Sequence, residues 1–324
     1  MNFGIIGFGN IAHKFIQSIT STDEGRVTAI ASRSVPENDP YLAAHPQVKL
    51  YRDYETLLQD PQVEAVYIAL THKYHKEWIL RAMDYHIPVL CEKPLVLSSK
   101  DADIIRTKGK DTGTYCLEAL KTKFNDGFQH LKKDLPLIGQ IRHLKTSFCS
   151  DASGMPPSCF LFDPEQGGAL NDIGSYALGF ILGLCEDPIT NVKSTLKVRE
   201  GIEEYFSADL VFSGGYTAFA EGAIDRRTDR TALIQGTKGK IEVPLFNRIS
   251  SYTITLQDGS VIRRENPILG DDMTMEIQAA IQDIKSGKTE SSVHSLEDTK
   301  NILILSEKIR EAAQTAVSSS ISCN

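Results

Sequence analysis

No two of the six cysteines form a C-x-x-C pair; Cys91, Cys116, Cys149, Cys159, Cys185 and Cys323 lie scattered along the chain. That spacing excludes a zinc ribbon or a disulfide framework and reads as reduced thiols in a cytoplasmic protein. No His, Asp or Glu cluster has metal-ligand spacing, so no catalytic metal is expected. Basic excess is missing too. The 35 Lys and Arg stand against 42 Asp and Glu, a net charge of −7, which argues against a nucleic-acid partner. No apolar run approaches the ~20 residues that span a bilayer. The first residues lack the basic stretch of a signal peptide, so neither a membrane partner nor secretion is expected. No segment repeats.

What remains is a globular chain of 324 residues, 41% hydrophobic and 24% charged, long enough for two domains. Its first feature is a strand, Asn2-Phe3-Gly4-Ile5-Ile6, running into Gly7-Phe8-Gly9-Asn10-Ile11-Ala12. This is G-x-G-x-x-A opening an apolar-periodic helix, the fingerprint of a dinucleotide pyrophosphate cradle. Gly7 makes the tight turn, and Gly9 lets backbone approach phosphate. Ala12 lets the helix sit close to the strand. The amides of the helix N-terminus, with Phe8, Asn10 and Ile11, face the anion.

Strands at 27–31, 49–51, 63–69, 88–91 and 114–119 alternate with helical stretches at 54–59, 75–85 and 100–109. Such alternation predicts an α/β, doubly wound parallel sheet, a Rossmann domain over residues 1–121. The pattern changes beyond 121. A helix near 124–133 and a strand near 140–148 lead to a Pro/Ser/Gly-rich loop at 150–168. A single helix is expected over 169–184. Seven strands follow between 192 and 264 with short turns, which favours a large open, mainly antiparallel sheet. Helices at 272–285 and 295–314 close the chain, the second begun by a Ser295/Asp298 capping box. The tail at 318–322 is expected to fray. The reading is an α+β domain over 122–324, with a C-terminal helix able to return to the first domain.

Strand two ends Ala31-Ser32-Arg33-Ser34, with no carboxylate before Glu37. An acidic residue there binds the ribose 2′-hydroxyl of NAD. A hydroxyl and a guanidinium instead welcome a 2′-phosphate. Ser32 and Arg33 therefore point to NADP rather than NAD.

Further motifs follow in order: Ala69-Leu70-Thr71-His72-Lys73-Tyr74-His75, Cys91-Glu92-Lys93-Pro94, Glu118-Ala119, and Gly167-Gly168-Ala169-Leu170-Asn171-Asp172-Ile173-Gly174-Ser175-Tyr176. Together with the opening turn they resemble the glucose–fructose oxidoreductase, inositol dehydrogenase and rhizopine catabolism (Gfo/Idh/MocA) superfamily over essentially the whole chain. Tyr176, where much of the superfamily has His, is similar to the branch of dimeric dihydrodiol dehydrogenases, D-xylose dehydrogenases and glucose–fructose oxidoreductase. Leu161-Phe162-Asp163-Pro164 resembles that branch as well. Leu70-Thr71-His72 departs from the family's Thr-Pro-Asn, and Phe160 stands where an Arg is frequent; both changes touch substrate identity more than reaction type.

Oxidising an alcohol by hydride transfer needs a base for the hydroxyl proton, and the reverse needs the same group as an acid. A free tyrosine, with a pKa near 10, is a poor base at neutral pH, and a neighbouring ammonium lowers that value. Tyr176 is accordingly the acid/base candidate, Lys93 its electrostatic partner, and Asp172, four residues before Tyr176, orients Lys93 or a substrate hydroxyl. The resemblance implies the same trio. Each residue alone also fits an ordinary structural role. Leu70, His72, His75 and Glu92 are candidates for the cofactor end, with His75 equally suited to a satisfied structural position. The substrate class is a sugar, a cyclic polyol or a trans-dihydrodiol. The alternative is a catalytically silent NAD(P)-binding sensor of the same fold. The resemblance further implies a homodimer, with a tetramer as the larger assembly.

Overall fold

The computed structural model describes residues 1–36, 38–268 and 270–321, of which 314–321 by backbone alone. The chain divides into two compact units, Met1–Lys121 with Leu269–Lys300, and Thr122–Ile268 with Asn301–Asn324. A contiguous division at 121 would give residues 269–300 to the second domain; they group with the first.

The first unit runs β1 (Asn2–Ile6), α1 (Asn10–Thr20), β2 (Arg26–Ala31), α2 (Pro40–Ala44), β3 (Lys49–Tyr51), α3 (Tyr54–Leu58), β4 (Ala65–Ile68), α4 (His75–Asp84), β5 (Val89–Glu92), α5 (Ser99–Thr112) and β6 (Cys116–Ala119). The strands pair in parallel in the order β3-β2-β1-β4-β5-β6. This is the doubly wound order in which the crevice opens where the winding reverses, between β1 and β4. Both central strands are apolar on both faces: Phe3, Ile5, Ile6, Val66, Tyr67 and Ile68 are fully buried, as helices on two sides of a sheet demand. Local chemistry sets the ends of α5. The Ser98 side chain accepts the Asp101 amide, and Gly113 closes the helix at φ 67°, a left-handed cap that glycine takes without strain.

The second unit contains α6 (Asp126–Asp134), β7 (Ile141–Cys149), α7 (Ala169–Asp172), α8 (Gly174–Leu184), β8 (Ile189–Arg199), β9 (Ile202–Phe212), β10 (Thr217–Ala223), β11 (Ala232–Gly236), β12 (Gly239–Val243), β13 (Ser251–Leu256) and β14 (Val261–Glu265). Its sheet has the order β14-β13-β12-β11-β7-β10-β9-β8. Every neighbouring pair is antiparallel except β7 with β10. Alternation along β9 buries Phe206, Ala208, Leu210 and Phe212 and leaves Ser207, Asp209 and Val211 toward the other face, as a half-covered sheet requires.

The helix expected over 169–184 is interrupted. α7 stops at Asp172 and α8 starts at Gly174, and the Tyr176 amide donates to the Ile173 carbonyl, three residues back, at 3.0 Å. Ile173 is wedged onto the sheet at the break. A Cβ on Gly222 of β10 would come within 2.9 Å of the Ile173 side chain and 2.5 Å of Phe206, so only glycine allows this approach. Gly174, a weak helix former, lies at the same point.

After β14 the chain returns to the first unit with α9 (Thr274–Lys285). There Lys14 bonds Asp272 at 2.7 Å, Lys285 pairs with Glu24 at 2.8 Å, and the Cys116 amide donates to the Thr289 carbonyl at 3.1 Å. The last helix, α10 (Leu296–Ile321), opens with the expected capping box: the Ser295 amide and hydroxyl each donate to Asp298 at 2.8 Å, and the Asp298 amide donates back to Ser295. Residues 296–300 group with the first unit and the rest with the second, where Arg310 bonds both oxygens of Glu203 and the Asn171 side chain. The helix continues through Ile321, so the residues expected to fray from 318 are helical to that point; Ser322 lies outside the described residues. No helix among the described residues is long and apolar enough to cross a membrane.

Candidate active site

The opening turn is built for a ligand. Gly7 has φ +92°, and a Cβ there would meet the Ala69 carbonyl at 2.6 Å and the Leu70 side chain at 2.9 Å. The turn is thus pressed against the end of β4, which brings Leu70 beside Gly7. Gly9 faces open space, and no side chain caps α1. The first amides of α1, at Asn10 and Ile11, are left for an external acceptor, and a pyrophosphate fits both the charge and the room. Phe8 lies with its ring 4.3 Å from that of His13 and 6.1 Å from that of Tyr41, a small aromatic wall beside the turn.

At the end of β2, Ser32 is buried, and its hydroxyl accepts the Val35 amide at 3.3 Å. Its first task is closing the turn; its own hydrogen remains for another acceptor. Arg33 is exposed and lies over the Tyr54 ring at 4.8 Å. Stacking fixes the face of the guanidinium and leaves its N–H edge outward. Glu37, the first carboxylate after β2, lies outside the described residues.

Lys93, half-buried, leaves the carboxyl end of β5 and precedes a cis peptide to Pro94. Three side chains hold the backbone around it. Glu92 Oε2 accepts the Lys93 amide at 3.3 Å, while its Oε1 accepts the Tyr67 hydroxyl at 2.5 Å. His75 is fully buried, with Nδ1 2.9 Å from the Pro94 carbonyl and Nε2 3.0 Å from the Leu70 carbonyl. Burial drives its pKa down, against the pull of those carbonyls and of Glu92 and Glu118. A neutral ring has one N–H and donates to one of the two carbonyls. His75 thus lies between the Leu70 and Pro94 carbonyls and is hydrogen-bonded to one of them. His72 is buried with its ring 5.8 Å from that of His75.

The third grip is Glu118 of β6. It accepts the Leu95 amide at 2.9 Å on Oε1, and His294 Nε2 at 2.7 Å and the Thr299 hydroxyl at 2.8 Å on Oε2. Burial acts to raise its pKa, but the His294 contact, the Leu95 amide and Thr299 outweigh it and hold the carboxyl below the usual range. Nearby, Glu276 of α9 is buried, with Oε2 unbonded. Burial, then repulsion from Glu92, pushes its pKa well up.

In the second unit, Asp172 ends α7 and Tyr176 lies in the first turn of α8, on opposite sides of the break at Ile173. They keep their four-residue spacing but do not share one continuous helix. From Gly174 to Ile181 every residue but Tyr176 is buried; Tyr176 is half-exposed. Its ring lies 5.7 Å from that of Phe148, and the Arg230 guanidinium lies over the Phe148 ring, 4.5 Å from its centroid.

The family follows from comparison. Residues 1–118 match the model of the oxidoreductase family with an NAD-binding Rossmann fold, GFO_IDH_MocA, and residues 136–242 match the GFO/IDH/MocA C-terminal domain. The chain belongs to the Gfo/Idh/MocA oxidoreductase family. It is 28% identical over 320 residues, covering 96% of both chains, to scyllo-inositol 2-dehydrogenase (NADP(+)) IolU of Bacillus subtilis. It is 26% identical over 328 residues, again 96% of each, to trans-1,2-dihydrobenzene-1,2-diol dehydrogenase of Mus musculus. A 3-ketoreductase from Actinomadura kijaniata, solved with NADP and TDP-benzene, has the same fold at a TM-score of 0.87 and 23% identity, over 96% of this chain and 97% of that one. The protein is thus an oxidoreductase with an NAD(P)-binding Rossmann domain.

Sequence reasoning gave no role to Glu118, His294, Thr299, Tyr67 or Arg230. Glu118 was visible as part of a family motif, but two of its three donors come from 176 and 181 residues away. Because the folded Glu118 pKa is depressed, the stability it contributes is complete above the unfolded value of about 4.3 and is lost as pH falls through the lower folded value. Glu118→Gln is expected to destabilise the protein near neutral pH and to flatten the loss of stability in acid, measured by urea unfolding from about pH 7 down to about pH 3. An acid dependence identical to wild type would remove Glu118 from this account.

Proposed function

We propose that this family member transfers hydride between a secondary alcohol of a sugar, cyclic polyol or trans-dihydrodiol and NADP. The nicotinamide, when bound, supplies the hydride acceptor or donor. Tyr176 takes the hydroxyl proton during oxidation and returns it during reduction. Lys93 favours the phenolate and bonds the reacting oxygen, and Asp172 orients Lys93 or a substrate hydroxyl. The observation that carries the reading is Tyr176 itself, the half-exposed residue of an otherwise buried helical turn, in a chain of an oxidoreductase family. A silent sensor is not favoured, since it would have no use for Lys93, Asp172 and Tyr176 together.

Tyr176→Phe and Lys93→Met are each expected to lower turnover by about 10²-fold or more while NADP binding survives. Either variant turning over near the wild-type rate would strip that residue of its role.

NADP is preferred on the reading of Ser32 and Arg33 given above, and two of the proteins compared carry NADP in their names or complexes. Side-by-side titration is expected to give a lower Kd for NADP than for NAD. Arg33→Ala should narrow the gap by roughly tenfold, the size of a charge-assisted contact of about 1.4 kcal/mol. Tighter binding of NAD would overturn the preference.

The open face of the second sheet supports a homodimer, with a tetramer as the larger form. Tyr205, Val211, Phe219 and Leu233 punctuate a polar surface there, the mixture that paired surfaces carry. Light scattering at micromolar concentration should return twice the 35.8 kDa chain mass or a multiple of that dimer; a monomer would rule the pairing out.

A further inference from the structure

Among the described residues, Arg230 has no carboxylate within ion-pair distance. Its guanidinium is half-buried, with one face on Phe148 at 4.5 Å. Its backbone is fixed, because the Arg230 carbonyl accepts the Phe246 amide at 2.9 Å, two residues ahead of β11. Other arginines surround it. Burial lowers its pKa first, and repulsion from Arg248 and Arg227 adds to this; the one opposing influence is Tyr176. An arginine cannot escape such a site by losing its proton. Stacking on Phe148 satisfies the plane of the group but not its five N–H donors. A partly desolvated fork of donors with no internal acceptor is matched by an anion with two oxygens in one plane or on one phosphorus. A bound ligand supplies such an anion, and Tyr176, whose ring lies 5.7 Å from that of Phe148, is the acid/base of the proposed reaction.

We propose that the substrate carries an anionic group, a carboxylate or a phosphate ester, which Arg230 binds while a hydroxyl of the same molecule is presented to Tyr176. This rests on the reading of Tyr176 given above and narrows the substrate from neutral polyols and diols to polyhydroxy acids or sugar phosphates. Arg248 and Arg227 strengthen the field. Arg230 acts as a specificity-determining residue, and no bond to it forms or breaks.

The test uses the full-length protein with NADP and three probes sharing one ring: D-glucose, D-glucuronate and D-glucose 6-phosphate, with the galactose series run in parallel. An anionic member is expected to exceed its neutral parent at least tenfold in kcat/KM, the carboxylate and phosphate arms identifying which anion is used. Arg230→Met should remove that advantage, lowering kcat/KM about 30-fold for the anionic substrate and less than about threefold for the neutral one, the range expected when one charged donor fork is lost. Arg230→Lys should recover part of it, and added salt should raise KM for the anion only. Equal loss on both substrates, or a neutral sugar preferred, overturns the proposal. Calorimetric titration of the same anions into wild type and Arg230→Met separates the two readings. Anion binding that depends on Arg230 without turnover of any probe upholds this site and counts against the oxidoreductase assignment to sugars. No such binding, with neutral sugars turned over, sinks this site alone.

Discussion

A carboxylate with no atom in water must find its donors within the fold, and Glu118 finds them from three directions. One is the Leu95 amide, two residues past Lys93; the others are His294 and Thr299. The last two reach the first unit only because residues 269–300 return to it after the second sheet is complete. The shape of the Lys93 turn therefore depends on chain just over two hundred residues downstream. Tyr115, whose hydroxyl lies 3.3 Å from Asp283, and Cys116, whose amide donates to Thr289, fasten the same returning segment to β6. Breaking the Glu118 cluster would leave a buried charge unpaired, which costs far more than the pair contributes. That asymmetry keeps the two ends of the first unit together.

The two units treat buried charge differently, and the difference bears on function. In the first, Lys14 and Lys121 share Asp272, and burial with repulsion from Glu92 raises the pKa of Glu276, which favours its neutral form. A carboxyl has that option. A guanidinium does not, because its pKa lies too far above neutrality. In the second unit Arg264 is paired with Asp134, which also accepts the Tyr252 hydroxyl at 2.7 Å, and Arg310 is paired with Glu203. Arg230 lacks such a partner and stands beside Tyr176. A half-buried cation that neither titrates nor pairs inside the protein is matched by the anionic group of the proposed substrate.

What the sequence reveals depends on how local the controlling interaction is. The strand, the G-x-G-x-x-A turn and α1 are legible because the turn geometry, the periodicity and the uncapped helix start lie within twelve residues. The same holds for the Ser295/Asp298 capping box, which the structure reproduces atom by atom. The helix over 169–184 is legible only in part. Its apolar content announces burial, yet the seat that Ile173 takes at the break is left open by Gly222, about fifty positions away across the sheet, and no periodicity within the helix encodes that neighbour.

Arg230 marks the limit of such reading. It sits in Asp225-Arg226-Arg227-Thr228-Asp229-Arg230, where charge alternates and every arginine has an aspartate close by in sequence. Sequence proximity alone does not say which of the three arginines the two aspartates engage. The fold sorts them: Arg226 folds back on Asp225 with two bonds, at 2.8 and 3.1 Å, Arg227 remains exposed, and Arg230 turns inward onto Phe148. Which arginine goes inside is decided by β7 and the segment around Phe246, neither of which is near in sequence. A charge run looks alike whether its members are solvated or one is held for a ligand, and only the packing of distant strands tells them apart.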